Sequence, residues 1–135
     1  SVLSVYPHAR FVRLEQPRFP DEFEERFDFV YSFDVFVHLD LHTIWKYLNE
    51  IRRMLKTDGK AFVHVSNLTT PGSWERFTAQ DHYSVEGFYF ISPEIADLLI
   101  KRSGLKKVRT SVVDPTNFYL NRDYMVILQK DDRHP

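Results

Sequence analysis

Three polar clusters follow directly on apolar runs: Glu15-Gln16, Ser32-Phe33-Asp34 and Ser66-Asn67. In an open α/β sheet, ligands bind beyond the carboxyl ends of the strands, so polar groups at those ends are candidate contacts. His38 lies four residues beyond Asp34, and imidazole is the side chain best suited to general-base work near neutral pH. The plainer reading of His38 is a partly buried ring held by a backbone carbonyl. His38 and His42 have a spacing that can hold a metal on one helical face. Asp40 starts a helix between them, however, and no third ligand is evident, so no metal is expected. The sequence contains no Cys, which excludes disulfides and thiolate chemistry.

The elements that must position these groups are legible from pattern. Ala9 to Glu15 alternates apolar and polar and reads as a strand. Phe27 to Phe33 is nearly continuous apolar and reads as a strand buried on both faces. Asp40 is a good helix N-cap, and Leu41, Ile44, Trp45, Leu48, Ile51 and Leu55 follow at helical spacing. Arg52, Arg53 and Lys56 load the C-terminal turns as the helix dipole favours, and Gly59 ends the helix or forms the turn after it. Lys60 to Ser66 reads as the next strand, which makes a βαβ unit. Asn67 to Ile91 reads as a long aromatic-rich connection, and loops of that length are commonly functional. Ser92-Pro93-Glu94 opens a second helix with Ile95, Leu98 and Leu99 as its buried stripe, stopped at Ser103-Gly104. Val108 to Asp114 and Asp123 to Gln129 form a closing antiparallel hairpin around the loop Pro115–Asn121. Ser1 to Tyr6 reads as the end of a helix or a frayed terminus.

Composition narrows the classes. The chain has 135 residues, 43% hydrophobic and 27% charged, as expected of one globular domain. Its net charge of -1 shows none of the basic excess of a nucleic-acid binder. No apolar run approaches the ~20 residues of a membrane span. The opening residues lack the layout of a secretory signal, so a cytoplasmic setting is the expectation.

From Phe27 to Ser66 the chain resembles the C-terminal half of a class I S-adenosylmethionine-dependent methyltransferase. The residues that carry the resemblance are Phe27-Asp28-Phe29-Val30-Tyr31-Ser32-Phe33-Asp34-Val35-Phe36-Val37-His38-Leu39 and the helix ending in Leu55-Lys56-Thr57-Asp58-Gly59. That family often carries "FDxVxSxxVxxHL" on its fourth strand and "LKPGG" before its fifth; here the proline and one glycine are replaced. Ser92-Pro93-Glu94 to Gly104-Leu105 is similar to the family's helix before its final hairpin. The resemblance implies a Rossmann-like methyltransferase fold, α/β, truncated, with a mostly parallel sheet ending in an antiparallel hairpin. It places Glu15 at the adenine, and Ser32, Phe33 and Asp34 along the methionyl and sulfonium part of S-adenosylmethionine. It offers His38 as the catalytic base, and Trp74, Tyr83, Tyr89, Asn117 and Tyr119 as contacts to a small-molecule acceptor.

The family's glycine-rich loop has no counterpart. The glycines are Gly59, Gly72, Gly87 and Gly104, and no G-x-G occurs. A glycine there lets the backbone approach the cofactor closely. The chain begins about where the family's third strand begins, and in the family's sheet order, 3-2-1-4-5-7-6, the missing strands are central. The fourth strand would then offer an unpaired apolar edge, which invites association. A fragment of a longer protein is the expectation, binding S-adenosylmethionine weakly or not at all by itself. Either the third strand pairs directly with the fourth or two copies pair edges as a homo-oligomer. The alternative function is a non-catalytic, degenerate module that dimerises or binds a protein.

Overall fold

The computed structural model describes residues 5–133. Ser1 to Ser4, and with them most of the expected N-terminal helix end, lie outside the described residues. Among the described residues four strands form one sheet: β1 (Phe27–Ser32), β2 (Leu55–Ser66), β3 (Leu105–Thr110) and β4 (Asp123–Lys130), in the order β1-β2-β4-β3. This order reproduces the last four places of the order expected from the family resemblance. β1 and β2 are parallel, whereas β2 pairs β4 and β4 pairs β3 antiparallel. The α/β expectation holds, but the sheet is mixed rather than mostly parallel. The reason is that Ala9–Glu15 forms no strand and adds no parallel pair. An alternating pattern makes a strand only where a ladder partner is within reach, and among the described residues β1 pairs β2 alone. Direct pairing of the 9–15 segment with β1 is thereby excluded.

Helix α1 (Leu41–Met54) starts where expected, because the Asp40 carboxylate accepts from Thr43 N at 3.0 Å. It ends at Met54, five residues before Gly59, and Leu55 already belongs to β2. Residues 55–59 bulge out of the ladder, since Phe27 pairs Leu55 while Phe29 pairs Lys60. Gly59 sits at the closest approach: a Cβ there would meet the Phe27 carbonyl oxygen at 2.8 Å. Helix α3 (Pro93–Arg102) is capped by Ser92, whose hydroxyl accepts from Ile95 N. It ends on Gly104 at φ 71°, a left-handed position that glycine takes without strain.

Helices α1 and α3 cover one face of the sheet. The core there joins Ile44, Leu48 and Ile51 with Ala61, Val63 and Val65 of β2, Val126 and Leu128 of β4, and Ala96 and Ile100 of α3. The buried stripe of α3 is thus Ala96 and Ile100. Ile95 and Leu98 of the expected stripe are largely exposed, and only Leu99 packs against the core. The opposite face is open. Tyr31, Phe62 and Ile127 lie side by side across it, flanked by Phe29 and Met125. Phe29 and Tyr31 are 53% and 72% exposed, so β1 is an edge strand buried on one face, not on both. An open depression of about 710 Å³ on the same face is lined by Phe62, Met125, Ile127, Val112 and Val113.

One helix lies inside the connection expected to be a loop. Helix α2 (Pro71–Ala79) is capped by Thr70, whose hydroxyl accepts from Ser73 N at 3.1 Å, with Pro71 in the first turn.

Candidate functional site

Because β1 and β2 run parallel and β4 runs back, Ser32, Ser66 and Asp123 all reach one rim of the sheet; Ser66 lies directly opposite Asp123. The two polar strand ends, Ser32-Phe33-Asp34 and Ser66-Asn67, therefore open on the same side. Asp34 has φ 58°, a left-handed conformation that is uncommon outside glycine. Its side chain is half exposed, and Arg122 Nη2 lies 3.7 Å from its carboxylate. Phe33 is 41% exposed and meets the Tyr119 ring edge-on at 5.0 Å between centroids. The segment after β1 is thus in contact with the loop before β4.

The second strand end is used structurally. Ser66 Oγ donates to Tyr89 O at 2.7 Å and accepts from Ile91 N at 3.0 Å. Asn67 Oδ1 accepts from Thr69 N and Thr69 Oγ1. Both residues are buried and hold the connection 67–91 against the rim. Gln80 closes that connection on itself, accepting from Phe88 N at 2.8 Å and donating to Phe88 O at 3.0 Å.

His38 is half-buried, and its Nδ1 lies 2.9 Å from the Gly87 carbonyl oxygen. That oxygen only accepts, so Nδ1 carries the proton and Nε2 is left as the ring's acceptor. The backbone-carbonyl reading and the general-base reading are therefore compatible: one nitrogen orients the ring and the other is free to take a proton. Phe88 packs edge-on against the ring at 5.3 Å.

The aromatic candidates fall into two groups. Tyr83 and Tyr89 meet edge-on at 5.8 Å and share a cleft of about 600 Å³ with Phe77, Phe88 and Phe90. Trp74 is exposed on α2 and packs on Phe77 at 5.4 Å. Tyr119 lies apart from them, against Phe33. Asn117 Oδ1 accepts from Tyr119 N and Leu120 N at 3.1 Å each, so its carbonyl shapes the loop. Glu15 is exposed in a separate depression lined by residues 12–16 and 18–21, which none of Ser32, Phe33 and Asp34 lines. The structure thus groups Ser32, Phe33, Asp34 and Tyr119, and brings Glu15 into no shared cavity with them.

Sequence reasoning missed a buried polar network beneath this rim. His64 is fully buried, with Nε2 2.6 Å from Asp123 Oδ2 and Nδ1 accepting from Asp34 N at 2.9 Å. Arg122 donates to the Asp123 carboxylate from Nε at 2.8 Å and Nη2 at 2.5 Å. Phe88, Phe118 and Tyr119 surround the guanidinium at 4.5, 4.9 and 5.3 Å. The available signal was the charged pair Arg122-Asp123 at the head of an apolar strand.

Residues 7–63 match the family model described as "Methyltransferase domain". A crystal structure of a Pyrococcus horikoshii protein superposes with a TM-score of 0.70 at 18% identity, over 96% of this chain and 63% of that one. An Archaeoglobus fulgidus SAM-dependent methyltransferase superposes at 0.62 and 14% identity, over 79% of this chain and 61% of its own. A Burkholderia thailandensis 1,6-didemethyltoxoflavin-N1-methyltransferase, solved with bound 1,6-didemethyltoxoflavin and S-adenosylhomocysteine, superposes at 0.59 and 17% identity over 81% of this chain and 46% of its own. The chain shares the Rossmann-like fold of these S-adenosylmethionine-dependent methyltransferases. The chain spans less than two thirds of the length of each of these structures. No curated protein matches it by sequence.

Proposed function

We propose that this chain forms the acceptor-side half of a methyltransferase that moves a methyl group from S-adenosylmethionine to a small-molecule acceptor. One observation carries the reading: the Phe33–Asp34 turn at the end of β1 touches Tyr119 of the acceptor-side loop, so donor and acceptor contacts adjoin on one rim. S-adenosylmethionine supplies an electrophilic methyl on a positively charged sulfur. The residues fit that charge, because the Asp34 carboxylate is half exposed and the Phe33 ring beside it is partly exposed. Ser32, Phe33 and Asp34 would hold and orient the methionyl end. Tyr83, Tyr89, Trp74, Asn117 and Tyr119 would bound the acceptor site and limit water. His38, oriented through Nδ1, would accept the acceptor's proton at Nε2. Alignment of the two reactants supplies most of the acceleration in such an in-line transfer. With no G-x-G in the sequence, the chain by itself binds the cofactor only weakly.

Ultraviolet crosslinking with methyl-tritiated S-adenosylmethionine tests this reading. Label is expected on the peptide containing 27–39. Label confined to 105–114, or no label above a denatured control, would overturn it.

A second reading is a non-catalytic module that pairs with another copy of itself. The open β1 edge and the exposed Phe29 and Tyr31 favour it.

A further inference from the structure

We propose that His64 is a positioning residue: its neutral imidazole sets the conformation of the Phe33–Asp34 turn and thereby aims both side chains at the rim. What the turn faces rests on the cofactor reading above; how it is held does not. Asp34 N can only donate, so Nδ1 of His64 must be the unprotonated nitrogen. Nε2 then carries the proton and donates to Asp123 Oδ2 at 2.6 Å. The tautomer is fixed by partners on both sides of the ring. The same ring also stacks on Phe33, with centroids 4.7 Å apart and planes 24° from parallel. One imidazole therefore holds both residues that follow Ser32, Phe33 by its face and Asp34 by its edge.

This explains the Asp34 backbone. A non-glycine residue persists at φ 58° where its surroundings impose it. Here the imposed contact is the bond from Asp34 N to His64. It leaves the Asp34 carboxylate half exposed at the rim, paired with Arg122 Nη2 at 3.7 Å. The charged and titratable groups facing the ring are Asp123 and Arg122 at the start of β4, Asp34 after β1, and Tyr119, whose ring stands edge-on at 6.0 Å. Asp123 is already satisfied by Arg122, so His64 is not needed to neutralise it. Protonation of Nδ1 would set an N–H against the Asp34 N–H and release the turn. The turn is thus conditional on a neutral His64, whereas an apolar ring used only for packing would show no such dependence.

Nitrogen-15 NMR of the labelled chain tests this. At neutral pH the His64 nitrogens are expected to report the Nε2–H tautomer, and the Asp34 amide to be protected from exchange. His64→Asn, whose amide oxygen can stand in for Nδ1, should retain Asp34 protection. His64→Gln, which reaches Asp123 but offers nothing at Nδ1, should lose it at least tenfold. An unprotected Asp34 amide in the wild-type chain, or nitrogen shifts that report the Nδ1–H tautomer, would overturn the proposal without relying on any variant. Added S-adenosylhomocysteine separates the two readings: if it shifts no amide of the turn, the cofactor reading fails, while the exchange data still decide the role of His64.

Discussion

The Asp34 amide and the Asp123 carboxylate bind opposite nitrogens of one imidazole, at 2.9 and 2.6 Å from His64 Nδ1 and Nε2. Residues 89 positions apart in sequence are thereby fixed within one ring's width. The turn after β1 takes its place from β4, through a group at the centre of the sheet. Phe33 and Tyr119 then meet above the same ring.

Asp123→Ala removes the carboxylate that neutralises Arg122, whose side chain is only 9% exposed. An uncompensated buried charge costs about 3–5 kcal/mol, a large part of a typical domain's ~5–15 kcal/mol. Urea unfolding should show the extrapolated unfolding free energy falling by that amount. A loss below about 1 kcal/mol would mean that Arg122 finds water or another partner.

Glu50 ties the N-terminal segment to α1. Its buried carboxylate accepts from Phe19 N at 2.6 Å and from Arg53 at 2.9 and 3.0 Å. Burial pushes its pKa up, but the hydrogen bonds from Arg53 and Phe19 N, with the charges of Arg53 and Arg18, outweigh it and hold the pKa below the ordinary glutamate value. A carboxyl with a lowered native pKa contributes stability that is full above its unfolded value and is lost as pH falls through the native one. Glu50→Gln should therefore cost about 1–3 kcal/mol at neutral pH, and the gap to wild type should close under acid. Parallel urea curves at neutral and acidic pH measure it; a pH-independent gap would contradict it.

The open sheet face predicts self-association. Sedimentation equilibrium should find the chain dimeric or larger. Phe29→Lys combined with Tyr31→Lys should return it to monomer, because edge lysines resist strand pairing. A wild-type monomer would remove the pairing reading.

Gly59→Ala should destabilise by about 1–3 kcal/mol, the range for overpacking. The added methyl would meet the Phe27 carbonyl oxygen at 2.8 Å and the Lys56 carbonyl oxygen at 3.1 Å, both backbone atoms. An unchanged thermal midpoint would show that the 55–59 bulge yields freely.

What was legible in the sequence was local. The Asp40 cap with its helical apolar spacing, the Ser92-Pro93 start and the Gly104 stop each specify their element through contacts within a few residues. Thr70-Pro71 carries the same signal for α2, hidden by the aromatic segment that follows. What was not legible depends on partners far along the chain. The alternation over 9–15 looks like a strand but has no ladder. The apolar run in β1 looks doubly buried, but α1 and α3 cover only one face. The role of His64 stays hidden in the sequence because its partners, Asp34 and Asp123, lie 30 and 59 residues away. The strand-end residues Ser32, Phe33 and Asp34 were visible because sheet topology alone brings them to the rim.

The most direct test of the account is an NMR titration of the labelled chain with S-adenosylhomocysteine. The account predicts weak, saturable shifts centred on Ser32, Phe33 and Asp34, with smaller ones at Asn67 and Tyr119. Shifts that cluster instead along Val112 and Ile127 on the open face, or none at saturating ligand, would contradict it.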